Sequence, residues 1–208
     1  TSPNFLFKKP PFIGKYFLAQ ANIELNIWEN DGFLFINDPF TKSDTKLEQV
    51  EEYGKWKLAI SNSEISFEKD NDGNVNQLMF YQNVYLTKGE SVSVFLEETI
   101  EKSGIKDGLK KYYDLKSNSC DEIIFSETSV NYLGHKYLRA GENSNAIAIF
   151  KLNAKEHPKS WNAYDSMGEA YMKNGEKKLA KRNYKKSLKL NPENENGIKM
   201  LKKIKKSR

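Results

Sequence analysis

Residues 127–194 repeat themselves with a period of 34, and no other feature constrains the fold as much. Leu133-Gly134 answers Met167-Gly168. Tyr137 answers Tyr171, Gly141 answers Gly175, and Ala146 answers Ala180. Phe150 answers Tyr184, and Pro158 answers Pro192. A fixed period of this length marks a stack of small supersecondary units, each too small to bury its own apolar face.

The residue types say what each unit is. Gly134 and Gly168, with Ala146 and Ala180, are small where two helices must approach closely. The aromatic rings at 137, 150, 171 and 184 fill the space beside them. The second glycine of each unit turns the chain between helices, and the proline follows a helix it cannot continue. This pattern resembles the tetratricopeptide repeat. The resemblance implies two antiparallel helices per unit and a concave face, lined by first helices, that docks protein segments.

A degenerate third unit precedes these two. "GIKDGLKKYYDL" (104–115) aligns with "GENSNAIAIFKL" (141–152), pairing Leu109 with Ala146 and Tyr113 with Phe150. "VSVFLEETIEKS" (92–103) is then its first helix. At the other end, "ENGIKMLKKIKK" (195–206) places Ile198, Leu201 and Ile204 on one stripe among lysines, as a capping helix requires.

The first half has a different period. Ile23, Leu25 and Ile27 alternate with Asn22, Glu24 and Asn26, the pattern of a half-buried strand. Asp31-Gly32 suits a hairpin turn before Phe33-Leu34-Phe35-Ile36. Residues 12–19, 55–60, 63–83 and 84–88 read as further strands and a second hairpin. Six or seven short strands imply an antiparallel meander curled into a barrel or sandwich. The turn at 68–73 mimics a calcium loop, with Glu68, Asp70 and Asp72 at the first ligand positions. Met79 falls where the bidentate carboxylate must be, so a plain turn is the better reading.

Residues 12–88 carry Gly14-x-Tyr16, the Asp31-Gly32 hairpin and Phe67-x-x-Asp70-x-x-Gly73-x-Val75-x-x-Leu78. This stretch resembles the lipocalin-like β-domain that follows the catalytic domain of beta-lactamase-related serine hydrolases. "IIFSETSVNYLGHKYL" followed by "YDSMGEAYMKNGE" looks like the tail of certain bacterial exported hydrolases and esterases. The resemblance implies an accessory carboxy-terminal region, an exported or periplasmic setting, and the protein's own hydrolase domain as a partner. The chain opens on Thr1 rather than Met, as a processed or excised chain would.

The chemistry available is narrow. One cysteine, Cys120, excludes an internal disulfide, and two histidines make a histidine zinc site improbable. Ser43-Asp44-Thr45-Lys46, Tyr81-Gln82-Asn83 and Thr87-Lys88-Gly89 imitate the penicillin-recognising motifs only in fragments. The third is not Lys-Thr-Gly, and no helix is expected to present Ser43. There is no phosphate-binding glycine loop. No enzyme activity, cofactor or metal is expected.

Charge divides the chain. Residues 1–92 hold nine lysines against thirteen carboxylates; residues 93–208 hold twenty-four cations against fifteen. Such a change of sign suggests two domains with different tasks. The basic end is mostly lysine, 11 of the 13 cations in 176–208, and no aromatic after Tyr184 could stack on a base. A solvated helix face accounts for it better than nucleic acid does. No apolar run reaches the roughly 20 residues of a membrane helix.

The expected fold is therefore α+β: an antiparallel β-barrel or sandwich-like domain (1–91), a degenerate helical pair and linker (92–126), then a tetratricopeptide solenoid with capping helix (127–208). The expected function is a non-catalytic interaction module, with small-ligand binding in the β-domain as the alternative. By the family resemblance the concave face would carry Thr128, Asn131, His135 and Leu138, then Asn162, Asp165, Glu169 and Met172. Asp165 and Glu169 would repel a carboxylate-ended peptide.

Overall fold

The computed structural model describes residues 12–18, 23–31, 33–38, 42–50, 55–59, 63–72, 74–80, 84–118 and 123–206. Gly32, Gly73, Cys120 and the Tyr81-Gln82-Asn83 fragment lie outside the described residues. The chain divides into two compact units, residues 1–90 with 121–124 and residues 91–120 with 125–208.

Among the described residues of the first unit, eight antiparallel strands follow one another round a closed barrel. They are β1 (Gly14–Leu18), β2 (Ile23–Asn30), β3 (Phe33–Asp38), β4 (Ser43–Gln49), β5 (Lys55–Leu58), β6 (Glu64–Lys69), β7 (Val75–Phe80) and β8 (Val84–Lys88). Closure comes from β1 pairing β8, with Tyr16 opposite Lys88 and Phe17 opposite Thr87. Alternation sends one face of each strand inward: Leu25 and Ile27, Leu34 and Ile36, Ile65, Leu86. Among the described residues, eleven buried apolar side chains form a single cluster there, with Phe12, Trp56 and Phe67 packed against it. An eight-stranded interior is about wide enough for side chains to fill. The cluster packs the described part of that interior.

Strand β4 was not expected. It alternates Thr45 and Leu47 inward with Asp44, Lys46 and Glu48 outward, so its apolar signal is one residue deep. The 68–73 turn is closed by Asp70, whose Oδ1 accepts the backbone N–H of Asp72 (3.0 Å) and of Asn74 (2.9 Å). That carboxylate serves the turn itself, as an Asx motif does.

The described residues of the second unit form seven helices: α1 (Val92–Ser103), α2 (Ile105–Ser117), α3 (Glu127–Arg139), α4 (Asn143–Glu156), α5 (Trp161–Lys173), α6 (Lys177–Leu190) and α7 (Glu195–Lys206). The pairs α3/α4 and α5/α6 are built alike. Ser126 and Ser160 cap the first helices, accepting from the N–H groups of Ser129 (3.4 Å) and Ala163 (3.1 Å). Gly141 (φ 79°) and Gly175 (φ 81°) close them in the left-handed region, where a Cβ is costly. Glu142 N–H then returns to the Tyr137 carbonyl, and Glu176 N–H to that of Tyr171, both at 2.9 Å.

Inside each pair a ring lies on a glycine. A Cβ on Gly134 would stand 2.5 Å from Cε1 of Phe150; one on Gly168 would stand 2.9 Å from Cδ1 of Tyr184. Those rings can sit so deep, both at 0% exposure, only because the facing residue has no side chain.

The preceding pair α1/α2 uses the same kind of hairpin with a different register. Gly108 and Tyr112 are buried, while Leu109 is half-buried and Tyr113 is 36% exposed. The equivalence of Leu109 with Ala146 and Tyr113 with Phe150 is therefore off by one residue. The cause is the turn: α2 starts at Ile105, directly after Gly104, whereas α4 starts at Asn143, two residues after Gly141. Gly108 faces Ile100 of α1, so here the glycine is on the second helix. In α7, Ile204 is buried and Leu201 half-buried, but Ile198 stays 38% exposed. No described helix is long and apolar enough to cross a membrane.

Alanine normally favours a helix interior over glycine by roughly 1 kcal/mol. At Gly134 the overpacking cost, about 1–3 kcal/mol, outweighs that gain. Gly134→Ala therefore lowers the melting midpoint followed by circular dichroism at 222 nm, and adding Phe150→Leu recovers part of the loss.

Candidate docking groove on the first helices

The first helices α3 and α5 carry every expected groove residue. His135 is the link between them. Its Nε2 lies 3.2 Å from Ser166 Oγ on α5, and its ring meets Phe150 edge-on at 5.0 Å between centroids. Burial lowers its pKa below 6.5, and Arg139 and Lys173 act in the same direction. Glu169 and Asp165 oppose them without reversing the sign. At neutral pH the groove centre is thus an uncharged imidazole that can donate or accept.

Asn131 is half-buried, and its side-chain oxygen is enclosed with no hydrogen-bond partner. Asn162 and Met172 are half-buried on α5. Glu169 pairs with Lys173 one turn on, at 3.5 Å, and both remain substantially exposed. An exposed pair of this kind contributes well under about 1 kcal/mol and is readily exchanged for a partner. These four, with His135, form the accessible set.

Two expected residues have other duties. Leu138 is only 3% exposed: α3 is an inner helix, packed by α1, α4 and α5, and its leucine goes into that packing. It offers no groove surface. Asp165 accepts from Asn194 Nδ2 at 2.7 Å on one oxygen and from Asn196 Nδ2 at 2.6 Å on the other. Asn194 Nδ2 also donates to Ser187 Oγ (2.8 Å), and its Oδ1 caps the N–H of Gly197 (3.2 Å). The carboxylate holds α7 in place instead of standing free. Asn194 and Asn196 were the residues missed; an asparagine directly before a helix start is a capping signal that would have found the first.

The arrangement has little use for covalent chemistry. Ser166 is 4% exposed, so no substrate can reach the hydroxyl beside His135. Ser43 lies on strand β4, where residues three apart point to opposite faces. Ser43 and Lys46 therefore cannot form the nucleophile–base pair of a Ser-x-x-Lys motif. Lys46 Nζ sits instead over the Phe33 ring, 3.3 Å from its centroid.

Residues 161–194, the span of α5 and α6, match the family model of the tetratricopeptide repeat. Human Superkiller complex protein 3 is 38% identical over 60 residues, which cover 29% of this chain and 4% of that protein. The chain thus spans a small fraction of the length of this curated relative. Among solved structures, the first TPR domain of human RPAP3 aligns over 56% of this chain and 91% of its own, at 20% identity and TM-score 0.40. The MamA protein aligns over 56% of this chain and 61% of its own, at 20% identity and TM-score 0.41.

Two outcomes test the site's electrostatics and bonding. Asn194→Ala removes a cap and two side-chain bonds at once; the expected loss is about 1–2 kcal/mol. Hydrogen exchange should show it first as faster opening of α7. For His135, a folded-state pKa below the unfolded value means the unfolded chain binds the proton more readily. Its stability contribution is complete above about pH 6.5 and is lost as pH falls through the lowered folded value. The urea midpoint of His135→Gln should fall less than wild type's between about pH 7.5 and 5.5.

Proposed function

We propose that this chain is a non-catalytic interaction module whose repeat-bearing half docks a segment of another protein across the first helices α3 and α5. The observation that carries the reading is half-buried His135, joined to Ser166 across α3 and α5, with half-buried Asn162 and Met172 and solvent-facing Glu169 on the same helices. A neutral imidazole can donate to a partner or accept from it. Glu169, held only by an exposed i,i+4 lysine, favours a cation on the partner and disfavours a carboxylate-ended peptide. Asn162 and Met172 supply an adaptable wall.

The resemblance of the β-domain and helical tail to the accessory region of beta-lactamase-related hydrolases makes a companion hydrolase domain the partner to test first. Sequencing the gene upstream of Thr1 is the direct check on that finer reading.

Site-specific photocrosslinking tests the docking itself. A photoreactive residue at Asn162 or Met172 is expected to capture one partner. Glu169→Lys and Asn131→Ala, at exposed and half-buried positions that leave the fold intact, should each cut the yield about fivefold or more. Capture that both substitutions leave unchanged would remove the groove from the mechanism.

A further inference from the structure

The second helices carry a surface that the groove reading does not use. Two grooves flank α4 on this outer face. The first, about 410 Å³, has a floor of Leu109 and Tyr113 from α2 with Ile147 and Ala148 from α4, and Lys151 and Lys155 on its rim. The second, about 570 Å³, runs between α4 and the α5/α6 pair over Tyr164, Tyr171 and Leu179, with Lys151, Arg182 and Lys186 around it. Lys151 belongs to both; among the described residues no carboxylate lines either, and the one beside the first rim, Glu156 near Tyr113 and Lys155, is already paired with Lys116.

We propose that this outer face is a second docking surface, which takes an acidic segment of a partner protein. The segment's apolar side chains enter the two grooves and its carboxylates meet the rim cations. The proposal is independent of the first-helix groove, whose accessible charge has the opposite sign.

The tyrosines hold the cations in place. Lys155 donates to the Tyr113 hydroxyl (2.9 Å) and stands 4.5 Å from its ring centroid. Lys151 lies 5.9 Å from the Tyr171 centroid, and Lys186 lies 5.5 Å from that of Tyr164. Cations already placed over ring faces lose less freedom when a carboxylate arrives. The same contacts argue against single-stranded nucleic acid, because a stacking base would need those ring faces. The aliphatic floor, lying in seams between helices, admits a side chain but not the plane of a lipid surface.

Fluorescence anisotropy with the full 208-residue chain tests this. The probe is a labelled peptide alternating leucine and phenylalanine with glutamate and aspartate. Saturable binding is expected, weakened by salt. The exposed double substitution Lys151→Glu with Lys155→Glu should lower affinity about tenfold. Ala148→Gln, which fills the first groove from within a helix, should weaken binding with unchanged circular dichroism. Glu169→Lys, on the other face, should leave it unaltered, so failure here and failure of the groove reading are separable. No binding, equal binding by the charge-reversed chain, or tighter binding of oligouridylate or phosphatidylserine vesicles would overturn the proposal.

Discussion

The two repeat units rest on a ring lying against a bare glycine Cα. Phe150 on Gly134 and Tyr184 on Gly168 bring each helix pair to a separation that a side chain would forbid. From that separation follow the full burial of both rings and the room for Ala146 and Ala180 beside them. It also fixes which faces are left over. Once the inner stripes of α3–α6 are committed to packing, His135, Glu169 and Met172 fall on one side, and Lys151, Lys155 and Arg182 on the other. The surfaces available for recognition are by-products of a packing constraint.

That constraint is also why this half was legible in the sequence. Close approach, turn and cap all act within 34 residues, so each leaves a residue type at a fixed offset. The β-domain was legible as an antiparallel meander curled into a barrel or sandwich, but which of the two was not. Pairing of β1 with β8 joins residues some seventy positions apart, and no local pattern announces it. Strand β4 escaped because Thr45 points inward where an apolar residue would have signalled burial.

The candidate site was read less well than the scaffold. Repeat position alone assigned Leu138 to the groove, but packing by three neighbouring helices claims it. Repeat position also left Asp165 free, whereas Asn194 and Asn196 occupy both its oxygens. In each case an interaction from outside the unit decided the matter, and a pattern defined within the unit could not include it. His135 lies against Phe150, a repeat position, and 3.2 Å from Ser166 on the next unit.

The turn at Gly104 shows how such a scaffold can acquire new surface. Loss of a single residue between two helices turns the second by about 100° relative to the first. The hairpin still closes, and glycine and aromatic side chains one position earlier take over the buried places. The residues at the aligned core positions, Leu109 and Tyr113, are here half-buried and exposed and line the groove against α4. A one-codon deletion is thus enough to convert packing residues into exterior ones without dismantling the stack. For proteins assembled from helix pairs, that is a shorter evolutionary path to a new exterior than replacing surface side chains one by one.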